Sequence, residues 1–161
     1  MMRRLLTTLL VLIGTLGVVD IASAETLEEL TKQCQQGDAE ACFNLGGRYD
    51  EGKGVTQDYF KAVELYRKAC DRKVAKGCFD LGVMYRNGKG VTQDYFKAVE
   101  LYRKACDGKS ALGCNNLGVM YEFGKGVRQS SEDALTFYGK ACYLKEELGC
   151  TNYAKLKTGK R

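Results

Sequence analysis

Eight cysteines fall into four brackets, Cys34/Cys42, Cys70/Cys78, Cys106/Cys114 and Cys142/Cys150, each eight positions wide and each 36 residues after the last. A period of that length belongs to helix-turn-helix solenoids, in which each unit is one hairpin of helices stacked on its neighbours. The repeat is a duplication and not a compositional bias. Gly52–Asp71 recurs without change as Gly88–Asp107. A third copy drifts, with Ser130 in place of Asp58 and Asp94, yet Gly124, Gly126, Ala134, Tyr138 and Cys142 keep the frame.

Each unit reads as two helices. The first carries an apolar stripe at helical spacing: Ala41, Leu45 and Tyr49, then Leu81/Tyr85 and Leu117/Tyr121. It runs into a glycine pair, Gly52/Gly54, Gly88/Gly90 or Gly124/Gly126, which suits a left-handed helix end. The second helix starts after Asp58, Asp94 or Ser130, all good N-caps. Its apolar face is Tyr59, Ala62, Val63, Tyr66 and Ala69. Gly46, Gly82 and Gly118 lie inside the first helix, where glycine costs about 1 kcal/mol against alanine. A close helix–helix contact is the expected compensation.

Arg3 and Arg4 precede an apolar run from Leu5 to Val19, and Ala22-Ser23-Ala24 follows. That is the order of a secretory signal peptide, expected over residues 1–24. The run is shorter than the roughly 20 residues a membrane span needs, so the mature chain is expected to have no integral membrane segment. The expected location is the periplasm or the extracellular space. Net charge is +5 and spread along the chain, so no nucleic-acid partner is expected. The closing Lys155, Lys157, Lys160 and Arg161 read as a solvated tail.

An exported chain with an even cysteine count reads as a disulfide framework. Within one unbroken helix, residues eight apart are separated by about 12 Å, whereas a disulfide needs Cα atoms roughly 4.4–6.8 Å apart. Pairing across a bracket therefore requires a chain reversal, which Gln35-Gln36-Gly37-Asp38 can supply. The rival scheme joins Cys42 to Cys70 and orphans Cys34 and Cys150 at opposite ends. Pairing within each bracket leaves no orphan and is the expected scheme. Zinc is disfavoured because the spacing is wrong and the chain contains no histidine. No metal and no cofactor are expected.

Aligned by the period, residues 25–161 form a solenoid: a half unit at about 25–37, full units at about 38–73, 74–109 and 110–145, and a half unit at about 146–158. The expected fold is all-α, an α/α solenoid of eight helices, with each bridge tying one hairpin to the next.

The frame Leu81-Gly82-Val83-Met84-Tyr85-Arg86-Asn87-Gly88-Lys89-Gly90-Val91 resembles the Sel1-like repeat, a relative of the tetratricopeptide repeat. With the eight-residue cysteine staple, the chain is similar to the Helicobacter cysteine-rich proteins. The resemblance spans essentially all of residues 25–161 and implies a right-handed solenoid, export and adaptor-like protein binding. Some members are described as penicillin-binding proteins or slow β-lactamases, which implies a β-lactam or cell-wall-related ligand as the alternative function. The residues do not display the known machinery. Ser110, Ser130 and Ser131 are followed three positions on by Gly113, Asp133 and Ala134, so no Ser-x-x-Lys pair exists in residues 25–161. Lys157-Thr158-Gly159 matches a K-T-G box but sits in the polar tail. No catalytic residue is assigned. A structural envelope protein is a further alternative.

The favoured function is binding of a protein or extended peptide in a groove. The second helix is identical between the first two units while the first helix varies. In tetratricopeptide-like solenoids the first helices line the concave face. The resemblance assigns a backbone-binding ladder to Asn44, Asp80, Asn116 and Asn152, each just before the Leu-Gly position or its equivalent. An amide has both a donor and an acceptor to match a peptide group. Specificity is expected from Phe79, Val83, Arg86, Val119 and Phe123, and the ladder is expected to face solvent in the free protein, a monomer.

Overall fold

The computed structural model describes residues 26–159. The segment read as a signal peptide lies outside them, as do Lys160 and Arg161. Eight α-helices follow in order: α1 Leu27–Gln36, α2 Ala39–Glu51, α3 Tyr59–Asp71, α4 Ala75–Asn87, α5 Tyr95–Asp107, α6 Ala111–Phe123, α7 Ser131–Tyr143 and α8 Glu147–Thr158. Helices α2–α3, α4–α5 and α6–α7 pair as hairpins, and each helix packs mainly on those next to it in sequence. The result is the α/α solenoid that the period requires.

Local chemistry sets the helix ends. Asp58 and Asp94 accept from the backbone N–H of Lys61 and Lys97 at 3.1 and 3.0 Å, and Ser130 keeps the same cap on Asp133 at 3.1 Å. Helices α2, α4 and α6 end on Gly52, Gly88 and Gly124, with φ of 70, 68 and 63°. Positive φ is free of Cβ strain only for glycine. The loop from α2 to α3 and its two copies are held identically. The Asp58, Asp94 and Ser130 N–H groups bond back to the carbonyls of Tyr49, Tyr85 and Tyr121. Gln57, Gln93 and Gln129 side chains bond to the carbonyls of Asp50, Arg86 and Glu122, all at 2.7 Å.

The chain reversal inside each cysteine bracket has a feature that the residue types did not reveal. Gly37 adopts φ 101° there, but its counterparts are lysines, Lys73, Lys109 and Lys145, with φ of 67, 65 and 66°. A non-glycine residue pays about 1–2 kcal/mol in this region. The four disulfides close over these turns: Cys34–Cys42, Cys70–Cys78, Cys106–Cys114 and Cys142–Cys150, with Cα atoms 4.4–4.6 Å apart.

The core is a row of clusters along the stack. One gathers Leu30, Leu45, Leu65 and Ala69; the next Val63, Tyr66, Leu81 and Met84; the third Val99, Tyr102, Leu117, Met120 and Phe137. The glycines inside the first helices serve the contact anticipated for them. A Cβ on Gly46, Gly82 or Gly118 would stand 2.8, 2.8 or 2.6 Å from the ring of Tyr66, Tyr102 or Tyr138.

Candidate binding groove

Helices α2, α4, α6 and α8 carry the ladder positions, and tyrosines from α3, α5 and α7 reach between them from behind. Between α2 and α4 an open depression of about 650 Å³ is lined by Phe43, Asn44, Arg48, Glu51, Tyr66 and Asp80. A second, of about 320 Å³, lies at the other end, where Glu122, Ser131, Asn152 and Lys155 meet. The structure thus brings Asn44 and Asp80 together at one end and sets Asn152 at the other.

The ladder is not uniformly turned to solvent. Asn44 is exposed, whereas Asp80, Asn116 and Asn152 are half-buried. Asn152 donates to Asn115 Oδ1 at 3.0 Å, so it is already engaged. Asn115 is the buried polar residue of the described core, at 3% exposure. It stands where the earlier units have Phe43 and Phe79, and a buried amide needs such a partner. The substitution was visible in the sequence; its pairing across one period was not.

Asp80 departs from the asparagine pattern with a consequence. Burial, and then the charges of Asp50 and Glu51, push its carboxyl up to about 6. Among the expected specificity residues, Phe79 and Val83 are half-buried and pack on the core, so their side chains are partly spent on folding. The Phe79 ring lies 5.9 Å from that of Tyr102. Arg86 and Val119 are half-buried, and Phe123 is 60% exposed at the end of α6.

The three tyrosines reaching up from α3, α5 and α7 differ in their partners. Tyr66 donates to Asp50 Oδ2 at 3.3 Å, and Tyr138 to Glu122 Oε2 at 2.6 Å. Burial first, then Asp80 and Asp50 for Tyr66 and Glu122 for Tyr138, raise both phenols far above the usual range. At the middle position Arg86 replaces the acid. The Tyr102 hydroxyl is buried and makes no hydrogen bond, although the Asn116 side chain is its neighbour. Its pKa is pushed up to about 12 by burial, with the Arg86 charge and the neighbouring Asn116 amide opposing the rise. Arg86 donates from Nε to Asn87 Oδ1 at 3.3 Å. It forms no ion pair among the described residues.

The serines and the K-T-G tripeptide have local roles. Ser110 and Ser130 cap α6 and α7 through their hydroxyls. Thr158 Oγ1 donates to Ala154 O at 2.8 Å, and Gly159 ends α8 with φ 65°. The tripeptide is a helix terminus.

The Sel1 repeat model matches residues 39–74, 75–110 and 111–145. No curated protein matches the chain by sequence. Among solved structures, the Sel1 repeat protein from Oxalobacter formigenes is 28% identical, with a TM-score of 0.76 over 80% of this chain and 53% of that one. A protective antigen of uropathogenic Escherichia coli strains displaying an SLR fold is 34% identical, with a TM-score of 0.74 over 77% of this chain and 27% of that one. Helicobacter pylori cysteine rich protein B is 32% identical, with a TM-score of 0.62 over 80% of this chain and 98% of that one. The chain therefore spans about half of the Oxalobacter protein and about a quarter of the antigen.

Proposed function

This chain belongs to the Sel1 repeat family, and from that premise we propose that it is an exported, disulfide-stapled scaffold whose α2/α4/α6/α8 face binds an extended protein or peptide segment. The Sel1 repeat fold is a protein-interaction scaffold. One observation carries the assignment of the face. Helices α3 and α5 have the same sequence, Tyr-Phe-Lys-Ala-Val-Glu-Leu-Tyr-Arg-Lys-Ala-Cys-Asp, whereas α2, α4 and α6 differ. The differences include Phe43/Phe79/Asn115 and Asp50/Arg86/Glu122, which bear on the groove and its tyrosines.

The amides of Asn44 and Asn116 supply paired donors and acceptors for a peptide backbone, with Asp80 between them, while Asn152 is held by Asn115. The flanking side chains then select among sequences. Export is supported by the order of charge, apolar run and small residues over 1–24, and by bridges that persist only in an oxidising compartment. No helix of the described residues is long and apolar enough to cross a membrane.

A photo-crosslinking residue tests the face. Placed at exposed Asn44 it lies in the groove; placed at Phe96, 73% exposed on α5, it lies on an outer helix. Partner adducts are expected from Asn44 and not from Phe96. Adducts confined to Phe96 overturn the assignment.

A further inference from the structure

The middle of the groove differs from both ends in one respect. At either end a buried tyrosine hydroxyl is satisfied by a carboxylate of the chain itself, Asp50 or Glu122. In the middle, Arg86 holds the sequence position of that acid and turns its Nε to Asn87 Oδ1, and the Tyr102 hydroxyl, on a side chain with 0% exposure, has no acceptor. Leaving a buried donor unmade is costly, and the Arg86 guanidinium forms no ion pair among the described residues. Tyrosine, arginine and asparagine all present donors here, and the same feature, an acceptor carrying negative charge, would complete all three.

We infer that Arg86, Tyr102 and Asn116 form a subsite for one aspartate or glutamate side chain of the bound segment. The inference rests on the groove reading above. The incoming carboxylate takes the place that Asp50 and Glu122 occupy in the adjacent units. It receives the Tyr102 O–H, pairs with the guanidinium as Arg86 turns outward, and accepts from the Asn116 amide. Charge-assisted bonds to arginine are short and strong, and a carboxylate fits its planar fork. The group comes from within a segment and not from a chain end, because depressions lie on both sides of Arg86 along the face. Asp50, Glu51 and Asp80 on one side and Glu122 on the other disfavour an acid placed directly beside them, while Arg48, Lys53 and Lys155 line the same depressions.

Random decapeptides displayed between fixed flanks, selected on the oxidised protein, are the probe. Enrichment of Asp or Glu at a single position is expected. A synthetic copy of an enriched peptide with that acid changed to its amide should bind about 10- to 100-fold more weakly. Tyr102→Phe should weaken the acidic peptide about 10- to 100-fold and the amide peptide less, because a neutral carbonyl oxygen is the weaker acceptor. Arg86→Asp should abolish the preference for acid over amide, and Arg86→Gln should do so if the charge reversal fails to fold. Selected peptides with no acid preference overturn the subsite and leave the groove standing. An acid preference that survives both Arg86 substitutions also overturns it, since the acid is then seated elsewhere. A library with no enrichment at all overturns the groove reading and the subsite together.

Discussion

Removing the hydroxyl of Tyr66 or Tyr138 deletes a donor to a carboxylate, at 3.3 and 2.6 Å respectively. Such a bond is worth about 1.5–3 kcal/mol. Removing the hydroxyl of Tyr102 deletes a donor with no partner. Tyr66→Phe and Tyr138→Phe should each lower stability by that amount in urea titration. Tyr102→Phe should leave it unchanged or raise it by up to about 1 kcal/mol. A Tyr102→Phe loss equal to the other two would show that its hydroxyl is bonded after all. Asp80 offers a second measurement. Folding raises its pKa from 3.8 to about 6, so the folded chain holds that proton more tightly than the unfolded chain. The penalty is absent below about pH 3.8, grows between 3.8 and about 6, and is complete above that. Asp80→Asn should therefore stabilise the protein at pH 7, by on the order of 2 kcal/mol. It should make no difference at pH 3.5, and a gain independent of pH would exclude ionisation as its cause.

At the scale of the helix, close approaches lie beside three of the four disulfides. A Cβ on Gly113 would stand 2.6 Å from Ala105 Cβ and 3.0 Å from Cys106 N, and Gly77 and Gly149 meet Ala69 and Ala141 in the same way. Alanine gains about 1 kcal/mol over glycine in an isolated helix. Gly113→Ala should nonetheless lower the melting temperature, because those neighbours include backbone and α5 must move away from α6. A rise in melting temperature would mean that the bridge tolerates the wider spacing. The signal for these glycines was present as the recurring Gly-Cys and Ala-Cys dipeptides, one helix apart. Helices, caps and bridges were legible because each depends on residues close in sequence and is written three times over. The groove was less so. Its ladder positions could be located, but whether Asn152 is free or Phe79 is exposed depends on contacts between units, and those change when a single position such as Asn115 departs from the repeat.

For the whole molecule, the interfaces between hairpins carry the covalent bonds. A solenoid unit touches only its neighbours, so each interface must hold by itself. By the chain-entropy model a bridge across eight residues contributes about 2.5 kcal/mol, so four contribute on the order of 10. That is comparable with the typical net stability of a domain, about 5–15 kcal/mol. Excess reductant should unfold or severely loosen the protein at 37 °C. Circular dichroism showing the same melting temperature with and without reductant would refute it.

Every bridge also spans the same short stretch of chain, and no bridge encloses another. Excising or inserting one 36-residue period inside the array leaves each remaining cysteine with a mate eight positions away. The covalent scheme is thus indifferent to array length. A gene built this way can lengthen or shorten its binding surface by unequal recombination without ever passing through a protein whose cysteines lack partners.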